Sequence, residues 1–411
     1  MLDEVEKAAI ACVDAETVVE WTRELVRIPS VFHPRTGEAE QEAARWVRAR
    51  FEQLGLETHW EVVAPGRPNV IGILRGPAGG RTLMFEGHTD VVTEGDAAAW
   101  VHAPFAAEVE DGRIYGRGGS DMKGGLVAAI LATKAIVDSG LKLKGSILIG
   151  ALVDEEGRML GIKDFCDRGW GKKVDAAIIC EPEDNRICAT QKGVMWAKIT
   201  VTGRMAHGAM SLTGVNPIYL AGALLRELRQ LEAEEIARFG RHEFLGQTSI
   251  TPTILQSPVR GEPQNNVMPA QCTMTLDIRL LPGQAPSDMT AKIEAIFARL
   301  RGSDPNFEAE MEVIEARPPT ATPREASIVT TLDQAIRDLT GRAPVYGGVP
   351  GTTDGTILFG RDGVPIVTCG PGNWLIPHHV DEYLEIDQLV EATKIYALAA
   401  LRYLGVASLR S

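Results

Sequence analysis

A histidine and an aspartate stand two positions apart directly after a strongly apolar run. Residues 82–86 are typical of a strand that is buried on both faces, and the chain then turns at Gly87 and presents His88 and Asp90. A metal-bound imidazole usually donates its other N–H to a carboxylate, so this spacing suits a metal ligand and a residue that orients it. One such pair is weak evidence, and its meaning depends on where the other carboxylates lie.

Acidic residues and a further histidine follow other apolar runs in the same way. Residues 146–153 and 175–180 are typical of central strands and lead into glutamates, and residues 364–369 lead through a Gly-Pro-Gly segment towards a histidine. A glutamate at a strand end is ordinarily a solvated loop carboxylate, but four strand ends that carry metal-ligand side chains by chance are improbable. The side chains concerned are His88, Glu155, Glu156, Glu181 and His378.

A parallel sheet explains why these side chains would meet. Strands alternate with helices along residues 1–191 and 315–411, including a nearly all-apolar helix at residues 122–136. This order predicts an α/β fold with a doubly wound, mainly parallel sheet. In such sheets ligands bind beyond the carboxyl ends of the strands, so the sequence predicts a metal site at that edge.

The pattern changes between residues 192 and 314, where the predicted order is β-α-β-β-α-β. We expect an inserted ferredoxin-like domain, with a four-stranded sheet and two helices on one face, that serves as lid and dimerisation domain. The predicted catalytic domain is then 1–191 together with 315–411, and the insertion is 192–314. A sheet edge or helical face of the insertion would suit a homodimer, although an exposed amphipathic helix is equally compatible with solvent.

Composition and charge exclude several classes of protein. The 411 residues carry a formal net charge of −13, and the pI is near 5.2, which argues against nucleic acid or an anionic membrane as the main partner. Residues 1–7 are acidic and lack the features of a secretory signal, and no apolar run approaches the length of a membrane span. The six cysteines form no C-x-x-C pair, so we expect a cytoplasmic protein with reduced thiols.

Several motifs together resemble the dinuclear zinc hydrolases that include acetylornithine deacetylase, succinyl-diaminopimelate desuccinylase, aminoacylase and glutamate carboxypeptidase. The motifs occur in the family's order over nearly the whole chain. They are residues 87–90, residues 116–124 with Asp121, residues 154–157, residues 180–182, residues 378–382, and further marks at 203–207, 266–269, 277–279 and 351–354.

The resemblance implies two Zn²⁺ ions, with Co²⁺ or Mn²⁺ as substitutes, held by nitrogen and oxygen ligands. One ion would be bound by His88 and Glu181, the other by Glu156 and His378, and Asp121 would bridge both. The first histidine of the adjacent pair is chosen because the family's ligand lies three positions before the aspartate of the Asp-Glu pair. A single-metal site of oxygen ligands for magnesium or manganese is the alternative, and the two histidines argue against magnesium.

The resemblance also assigns catalytic roles. Asp90 would orient His88, and Glu155 would act as general base towards a water that the two ions activate. His207 resembles the histidine that family members supply to the active site of the partner subunit, where it would donate a hydrogen bond to the developing oxyanion. Function would then require a homodimer and closure of the inserted domain.

Four further residues match the family's substrate contacts. Arg279 and Asn266 fit a clamp for a substrate carboxylate, because a guanidinium group pairs with a carboxylate bidentately; a surface ion pair on a strand is the alternative for Arg279. Thr352 and Thr353 would line the substrate pocket, or equally cap a helix that begins at Asp354.

The expected enzyme is a metal-dependent amidohydrolase that cleaves an N-acyl or peptide amide bond of a small carboxylate-bearing substrate, through a hydroxide held by two zinc ions. A deacylase of N-acyl amino acids is the leading candidate, and a dipeptidase, a carboxypeptidase or an unusual amidase of the same family is the alternative. A catalytically silent metal-binding protein on the same fold is a further alternative, but it would have no need of Glu155 beside Glu156.

Overall fold

The computed structural model describes residues 2–37 and 39–407. The chain forms two compact units: the first comprises Met1–Ala189, Thr322–Gly347 and Thr353–Ser411, and the second comprises Thr190–Ala321 and Gly348–Thr352. Residues 1, 38 and 408–411, which belong to the predicted catalytic domain, lie outside the described residues.

The helices and strands of the described residues are numbered here in chain order. The α-helices are α1 Glu4–Ala11, α2 Ala15–Val26, α3 Gln41–Gln53, α4 Gly124–Asp138, α5 Leu160–Asp167, α6 Pro217–Phe239, α7 Pro286–Ser303, α8 Ser327–Thr340, α9 Asp354–Asp362 and α10 Ile386–Leu404. The strands are β1 Glu57–Ala64, β2 Arg67–Leu74, β3 Thr82–His88, β4 Glu108–Glu110, β5 Arg113–Tyr115, β6 Ser146–Leu152, β7 Ala176–Pro182, β8 Ile187–Gln191, β9 Gly193–Thr202, β10 Ala206–His207, β11 Ser249–Gln256, β12 Val267–Met268, β13 Gln271–Leu280, β14 Glu308–Arg317, β15 Thr320–Ala321, β16 Tyr346–Val349, β17 Ile366–Gly370 and β18 Tyr383–Glu385. Of these helices, none is long and apolar enough to cross a membrane.

Side-chain caps set where the first two helices begin. Asp3 accepts the backbone N–H of Glu6 at 2.8 Å, and the Glu6 carboxylate accepts the N–H of Asp3 at 3.0 Å, so α1 begins with a reciprocal capping box. Asp14 caps α2 in a simpler way, through the N–H of Thr17 at 3.0 Å. These caps satisfy N–H groups that have no partner inside the helix.

The sheet of the first unit has parallel strands at its centre. Its strand order is β1-β2-β6-β3-β7-β17-β8. The four central strands, from β6 to β17, are parallel to one another, and β1, β2 and β8 flank them in antiparallel pairs. Strand β1 is not predicted from the sequence, because its half-exposed residues form no apolar run.

Side chains of the central strands alternate between two apolar cores. On β3, Leu83 and Phe85 belong to the core that contains α4 and α10, whereas Met84 belongs to the core that contains α5 and α9. Because successive side chains of a strand point to opposite faces, helices cover this sheet on both sides. The predicted α/β class with a doubly wound sheet is therefore confirmed.

Helix α4 lies unusually close to the sheet, and its residues are buried nearly all round, as predicted for residues 122–136. Gly125 faces the carbonyl group of Cys180 on β7, and a Cβ atom at this glycine would lie 1.9 Å from that oxygen. Only a residue without a side chain allows this approach, which places the start of α4 beside the end of β7.

The second unit contains a four-stranded antiparallel sheet in the order β11-β13-β9-β14. With α6 and α7 it has the chain order β-α-β-β-α-β, in which the last strand lies beside the first, as in a ferredoxin-like fold. One apolar core joins this sheet to the two helices. The short pair of β10 and β12 is an addition to this plan. That the unit serves as lid and dimerisation domain stays a prediction.

Candidate active site

Three parallel strands bring their last residues to one edge of the sheet in the first unit. Strand β3 ends at His88, which lies opposite Leu152, the last residue of β6. Glu155 and Glu156 follow in the turn after β6, and Glu181 lies near the end of β7. The parallel register of the three strands therefore places these side chains together.

Asp121 lies between the two predicted histidine ligands. Its Oδ1 atom is 3.2 Å from His88 Nε2, and its Oδ2 atom is 3.3 Å from His378 Nε2. Glu181 Oε1 lies 3.6 Å from His88 Nε2, and Glu156 Oε1 lies 3.0 Å from His378 Nε2. The five predicted ligands thus come together in two groups that share one carboxylate.

The hydrogen bond of His88 leaves its Nε2 atom available to a metal ion. His88 Nδ1 lies 2.9 Å from the backbone carbonyl oxygen of Asp90, which can only accept, so Nδ1 carries the proton. In the neutral ring, Nε2 then presents a lone pair to the carboxylates of Asp121 and Glu181. These three groups repel one another unless a proton or a metal ion lies between them. Although burial lowers the pKa of His88, the hydrogen bond to Asp121 and the charge of Glu181 raise it well above its ordinary value, so the site attracts positive charge and the donor set fits a divalent metal ion.

Two overlapping groups of side chains have the proximity that metal ligands need. Among the described residues, the ligand atoms of His88, Asp121 and Glu156 lie within 4.8 Å of one another, and so do those of His88, Glu155 and Glu181. These two groups share His88 and not Asp121, and the second contains Glu155, the predicted base, which therefore lies as close to His88 and Glu181 as a ligand would. The residue types are imidazole and carboxylate, which suit zinc and related divalent ions.

The electrostatics of this cluster show an excess of buried negative charge. Burial, with the charges of neighbouring acids, raises the pKa of Glu155 and of Glu181 well above its ordinary value, and the pKa of Glu156 is raised for the same reasons. Hydrogen bonds to Asp121 and Glu156 raise the pKa of His378 to about 10. The raised pKa values of the three glutamates and of His378 all show that the site favours bound protons. The site therefore lacks positive charge, and a pair of divalent ions would supply it.

Asp90 holds the turn that carries Glu155 and Glu156. Its Oδ1 atom accepts the backbone N–H of Glu155 at 3.2 Å, and its Oδ2 atom accepts that of Glu156 at 3.0 Å. The same carboxylate lies 3.6 Å from His88 Nδ1, farther than the backbone carbonyl of Asp90 at 2.9 Å. Asp90 therefore contacts His88 chiefly through its backbone, while its side chain orders the turn.

Glu382 and Arg117 order the loop that carries Asp121, and neither residue has a role predicted from the sequence. Glu382 is fully buried, accepts the backbone N–H groups of Ser120 at 3.0 Å and Asp121 at 3.1 Å, and pairs with Arg117. Burial and the charge of Asp121 raise the pKa of Glu382 to about 7. The available signal was an arginine inside a glycine-rich loop, where a buried guanidinium requires a carboxylate partner.

Two of the predicted substrate and oxyanion contacts are neighbours in the second unit. His207 is exposed, and its Nδ1 atom accepts the backbone N–H of Ala209 at 3.0 Å, which leaves the proton of the neutral ring on Nε2. The backbone carbonyl of Asn266 accepts the N–H of Gly208, the residue after the histidine, at 2.7 Å. The two segments are held together by the pairing of β10 with β12.

Arg279, also in the second unit, is paired within its own strand. Its Nε atom lies 2.6 Å from Asp277 Oδ1, and its Nη2 atom lies 2.9 Å from Asp277 Oδ2. Trp196 Nε1 donates to the same aspartate at 3.0 Å. This is the ion pair on a strand that the sequence analysis gives as the alternative, and the clamp for a substrate carboxylate stays a prediction.

The two adjacent threonines have different partners. The hydroxyl of Thr352, in the second unit, accepts a hydrogen bond from Arg317 Nη1 at 3.1 Å. Thr353, in the first unit, caps α9 by accepting the backbone N–H of Gly355 at 3.2 Å. The capping role expected as an alternative is therefore present for Thr353.

A comparison with known families matches residues 84–402 to a family model described as "Peptidase family M20/M25/M40". A succinyl-diaminopimelate desuccinylase of Methylobacterium radiotolerans is 31% identical over 385 residues, covering 91% of this chain and 93% of that protein. A second one, of Rhodospirillum centenum, is 31% identical over 401 residues, covering 95% of this chain and 98% of that protein.

Solved structures of similar fold include an M20 family metallo-carboxypeptidase from Sulfolobus solfataricus, with a TM-score of 0.74 and 20% identity over 98% of this chain and 99% of that chain. An aminopeptidase from Bacillus cereus has a TM-score of 0.76 and 19% identity over 96% of this chain and 99% of that chain. At these identities the likeness is one of fold.

The chain belongs to the peptidase family M20/M25/M40, which confirms the resemblance to the dinuclear zinc hydrolases. The family is metal-dependent, and the chain has a group of side chains that could hold a metal ion. Membership of a peptidase family and the similarity to desuccinylases show that the chain is a hydrolase of amide bonds.

Proposed function

We propose that this chain is an N-acyl-amino-acid deacylase that cleaves a small carboxylate-bearing substrate with a pair of zinc ions and with Glu155 as general base. The observation that supports the pair of ions is the position of Asp121, whose oxygen atoms lie 3.2 Å from His88 Nε2 and 3.3 Å from His378 Nε2. One carboxylate between two nitrogen donors suits a ligand that bridges two metal ions.

Two sets of ligands would hold the ions. His88 and Glu181 would bind one, Glu156 and His378 would bind the other, and Asp121 would be shared between them. Two imidazoles among carboxylates favour zinc, with cobalt or manganese as substitutes, over magnesium. When bound, the ions would polarise the substrate carbonyl and lower the pKa of a coordinated water from about 16 towards 7.

Glu155 is suited to move the proton. One of its carboxylate oxygens lies within 4.8 Å of the ligand atoms of His88 and Glu181, so it would lie beside the ion that those two residues hold. Glu155 would take a proton from the attacking water on a carboxylate oxygen and pass it to the nitrogen of the leaving amine, a role worth about 10² to 10⁴ in rate. Glu156 lies 3.0 Å from His378 and would have a different task, as a metal ligand.

Four residues outside the set of metal ligands would recognise the substrate. Arg279 and Asn266 would contact its carboxylate, with Arg279 using Nη1, which takes no part in the bidentate pair with Asp277. Thr352 and Thr353 would line the pocket. The two relatives at 31% identity are named succinyl-diaminopimelate desuccinylases, so an N-succinyl amino acid is the first acyl substrate to test.

A homodimer formed through the second unit would complete the site. His207 is exposed and has its proton on Nε2, so it can donate a hydrogen bond to the oxyanion in the active site of a partner copy. A cytoplasmic location is part of the proposal, and it is supported by the six cysteines, all of which are free thiols.

The test is hydrolysis of N-acetyl, N-succinyl, N-formyl and dipeptide substrates by the zinc-loaded enzyme, with release of the free amine as the readout. We expect N-acyl amino acids to be cleaved, and Glu155→Ala to lower kcat by about 10²- to 10⁴-fold while metal content is retained. Cleavage of dipeptides alone would replace the deacylase with a dipeptidase. Loss of metal in parallel with activity would show that base and ligand are misassigned.

A further inference from the structure

A cluster of buried charge lies behind the turn that carries Glu155 and Glu156. Arg67, the first residue of β2, is 4% exposed, and its partners Glu40 and Asp154 are 0% and 5% exposed. Arg67 Nη1 lies 2.5 Å from Asp154 Oδ1, and Arg67 Nε lies 3.0 and 2.9 Å from the two carboxylate oxygens of Glu40. The proposed chemistry uses none of these three residues directly.

Asp154 shapes the turn. Its backbone is in the left-handed region with φ 67°, and its carbonyl oxygen accepts the N–H of Met159 at 2.7 Å. Its Oδ2 atom accepts the N–H of Arg158 at 3.0 Å, so the carboxylate closes the turn on one side while its Oδ1 atom contacts Arg67. Asp154 therefore connects the guanidinium group of Arg67 to the residue that follows it, Glu155.

Arg67 is itself held rigidly. Both carboxylate oxygens of Glu40, at the start of α3, accept hydrogen bonds from Arg67 Nε. The ring centre of Phe32 lies 4.1 Å from Arg67 Cζ. A planar guanidinium with fixed partners on several sides is a stiff anchor, which a flexible lysine ammonium would not be. The turn is thus held by Arg67 through Asp154 and, independently, by the carboxylate of Asp90.

We propose that Arg67 is a positioning residue for the general base: through Asp154 it fixes the turn, so that the Glu155 carboxylate meets the attacking water and the leaving amine at reactive distance. The inference rests on the proposed role of Glu155. Loss of the guanidinium would leave Glu40 and Asp154 buried without their counter-charge, and the turn would move to expose Asp154 to water. A displacement of about 1 Å in a catalytic group costs roughly 10²-fold in rate.

The test is a double-mutant cycle between Arg67→Met and Glu155→Ala in the full-length, metal-loaded enzyme. Assayed at saturating zinc, Arg67→Met alone should lower kcat roughly 10²-fold, with KM within about twofold. In the Glu155→Ala background the same change should not lower the residual rate further, because Arg67 acts through that residue. Arg67→Lys should be faster than Arg67→Met but slower than the wild type, since lysine restores the positive charge but not the planar set of N–H donors of the guanidinium group.

Arg75→Met is the matched control. Arg75 follows β2 and forms an exposed ion pair with Glu57, with side chains 60% and 41% exposed, so its loss should leave kcat unchanged. Should Arg67→Met fail to fold, Arg67→Lys carries the same cycle with a smaller expected loss.

The outcomes separate this inference from the proposed function. Equal losses from Arg67→Met in both backgrounds would overturn the inference, because a merely structural role lowers activity regardless of Glu155. An unchanged kcat in Arg67→Met would overturn it as well. Full activity in Glu155→Ala alone would instead overturn the proposed function, before any change at Arg67 is made.

Discussion

Asp90→Asn tests the geometry of the turn with nearly no change in volume. The carboxylate of Asp90 is 2% exposed and accepts the backbone N–H groups of Glu155 and Glu156 at 3.2 and 3.0 Å. Asparagine keeps one acceptor oxygen but turns an NH₂ group towards the other N–H, so one buried donor faces a second donor.

The magnitude follows from these two hydrogen bonds. A hydrogen bond to a charged group contributes about 1.5 to 3 kcal/mol, and a buried donor without an acceptor costs about 1 to 3 kcal/mol. We expect Asp90→Asn to lower the free energy of unfolding by about 2 to 4 kcal/mol. Because Asp90 also supports a predicted ligand and the predicted base, metal affinity or kcat should fall about 10- to 100-fold.

The assay combines thermal unfolding, metal affinity in competition with a chelator, and kcat on the best substrate. Asp96→Asn is the matched control, since exposed Asp96 accepts the backbone N–H of Ala98 at 3.0 Å and caps a short helical turn. Asn and Asp cap about equally well, so this variant should lose less than about 1 kcal/mol and keep its kcat. Equal effects of the two substitutions would show that the buried carboxylate of Asp90 does not order the turn.

Two further predictions concern the fold around the site. His102 Nδ1 lies 2.9 Å from Glu108 Oε2 and its Nε2 lies 3.4 Å from Glu110 Oε2; the hydrogen bond to Glu108 and both charges raise the pKa of His102. Its stabilisation is full below the unfolded value of about 6.5 and is lost as pH rises through the raised pKa. The melting-temperature difference between wild type and His102→Gln should therefore shrink as pH rises above neutral, and a constant difference would contradict the ion-pair account. Gly125→Ala would place the new Cβ atom 1.9 Å from the Cys180 carbonyl oxygen, so it should lower the free energy of unfolding by about 1 to 3 kcal/mol or prevent folding. Gly222→Ala is the control: a Cβ atom at this position in α6 would meet no neighbouring residue within 4 Å, so the free energy of unfolding should rise by about 0.5 to 1 kcal/mol. Similar melting temperatures for the two variants would count against the close packing of α4.

The parts of the fold that follow from local patterns were predictable from the sequence. β3, β6 and β7 are short apolar runs that end in polar side chains, and the rule that parallel sheets bind ligands at their carboxyl ends connects them without knowledge of distances. The βαββαβ order of the second unit likewise follows from hydrophobic periodicity alone. Strand β1 was not predicted because its half-exposed residues show no hydrophobic periodicity.

The supporting contacts of the site were not predictable. Arg67 pairs with Glu40, which precedes it by 27 residues, and with Asp154, which lies much farther along the chain. Nothing local distinguishes these charged residues from solvated ones, because their burial depends on the assembled sheet and not on neighbours in sequence. The hydrogen bonds from the turn to the carboxylate of Asp90 were not predictable for the same reason. They join backbone N–H groups that follow β6 to a side chain that follows β3.

If five side chains of the first unit together hold two metal ions, each chain should bind two equivalents of zinc. The most direct measurement is the zinc content per chain of the wild type and of single ligand variants after loading and removal of excess metal. We expect two ions for the wild type and for Glu155→Ala, one for His88→Ala or His378→Ala, and fewer than two for Asp121→Ala. A wild-type chain that binds at most one ion, or an Asp121→Ala chain that still binds two as tightly, would contradict this expectation.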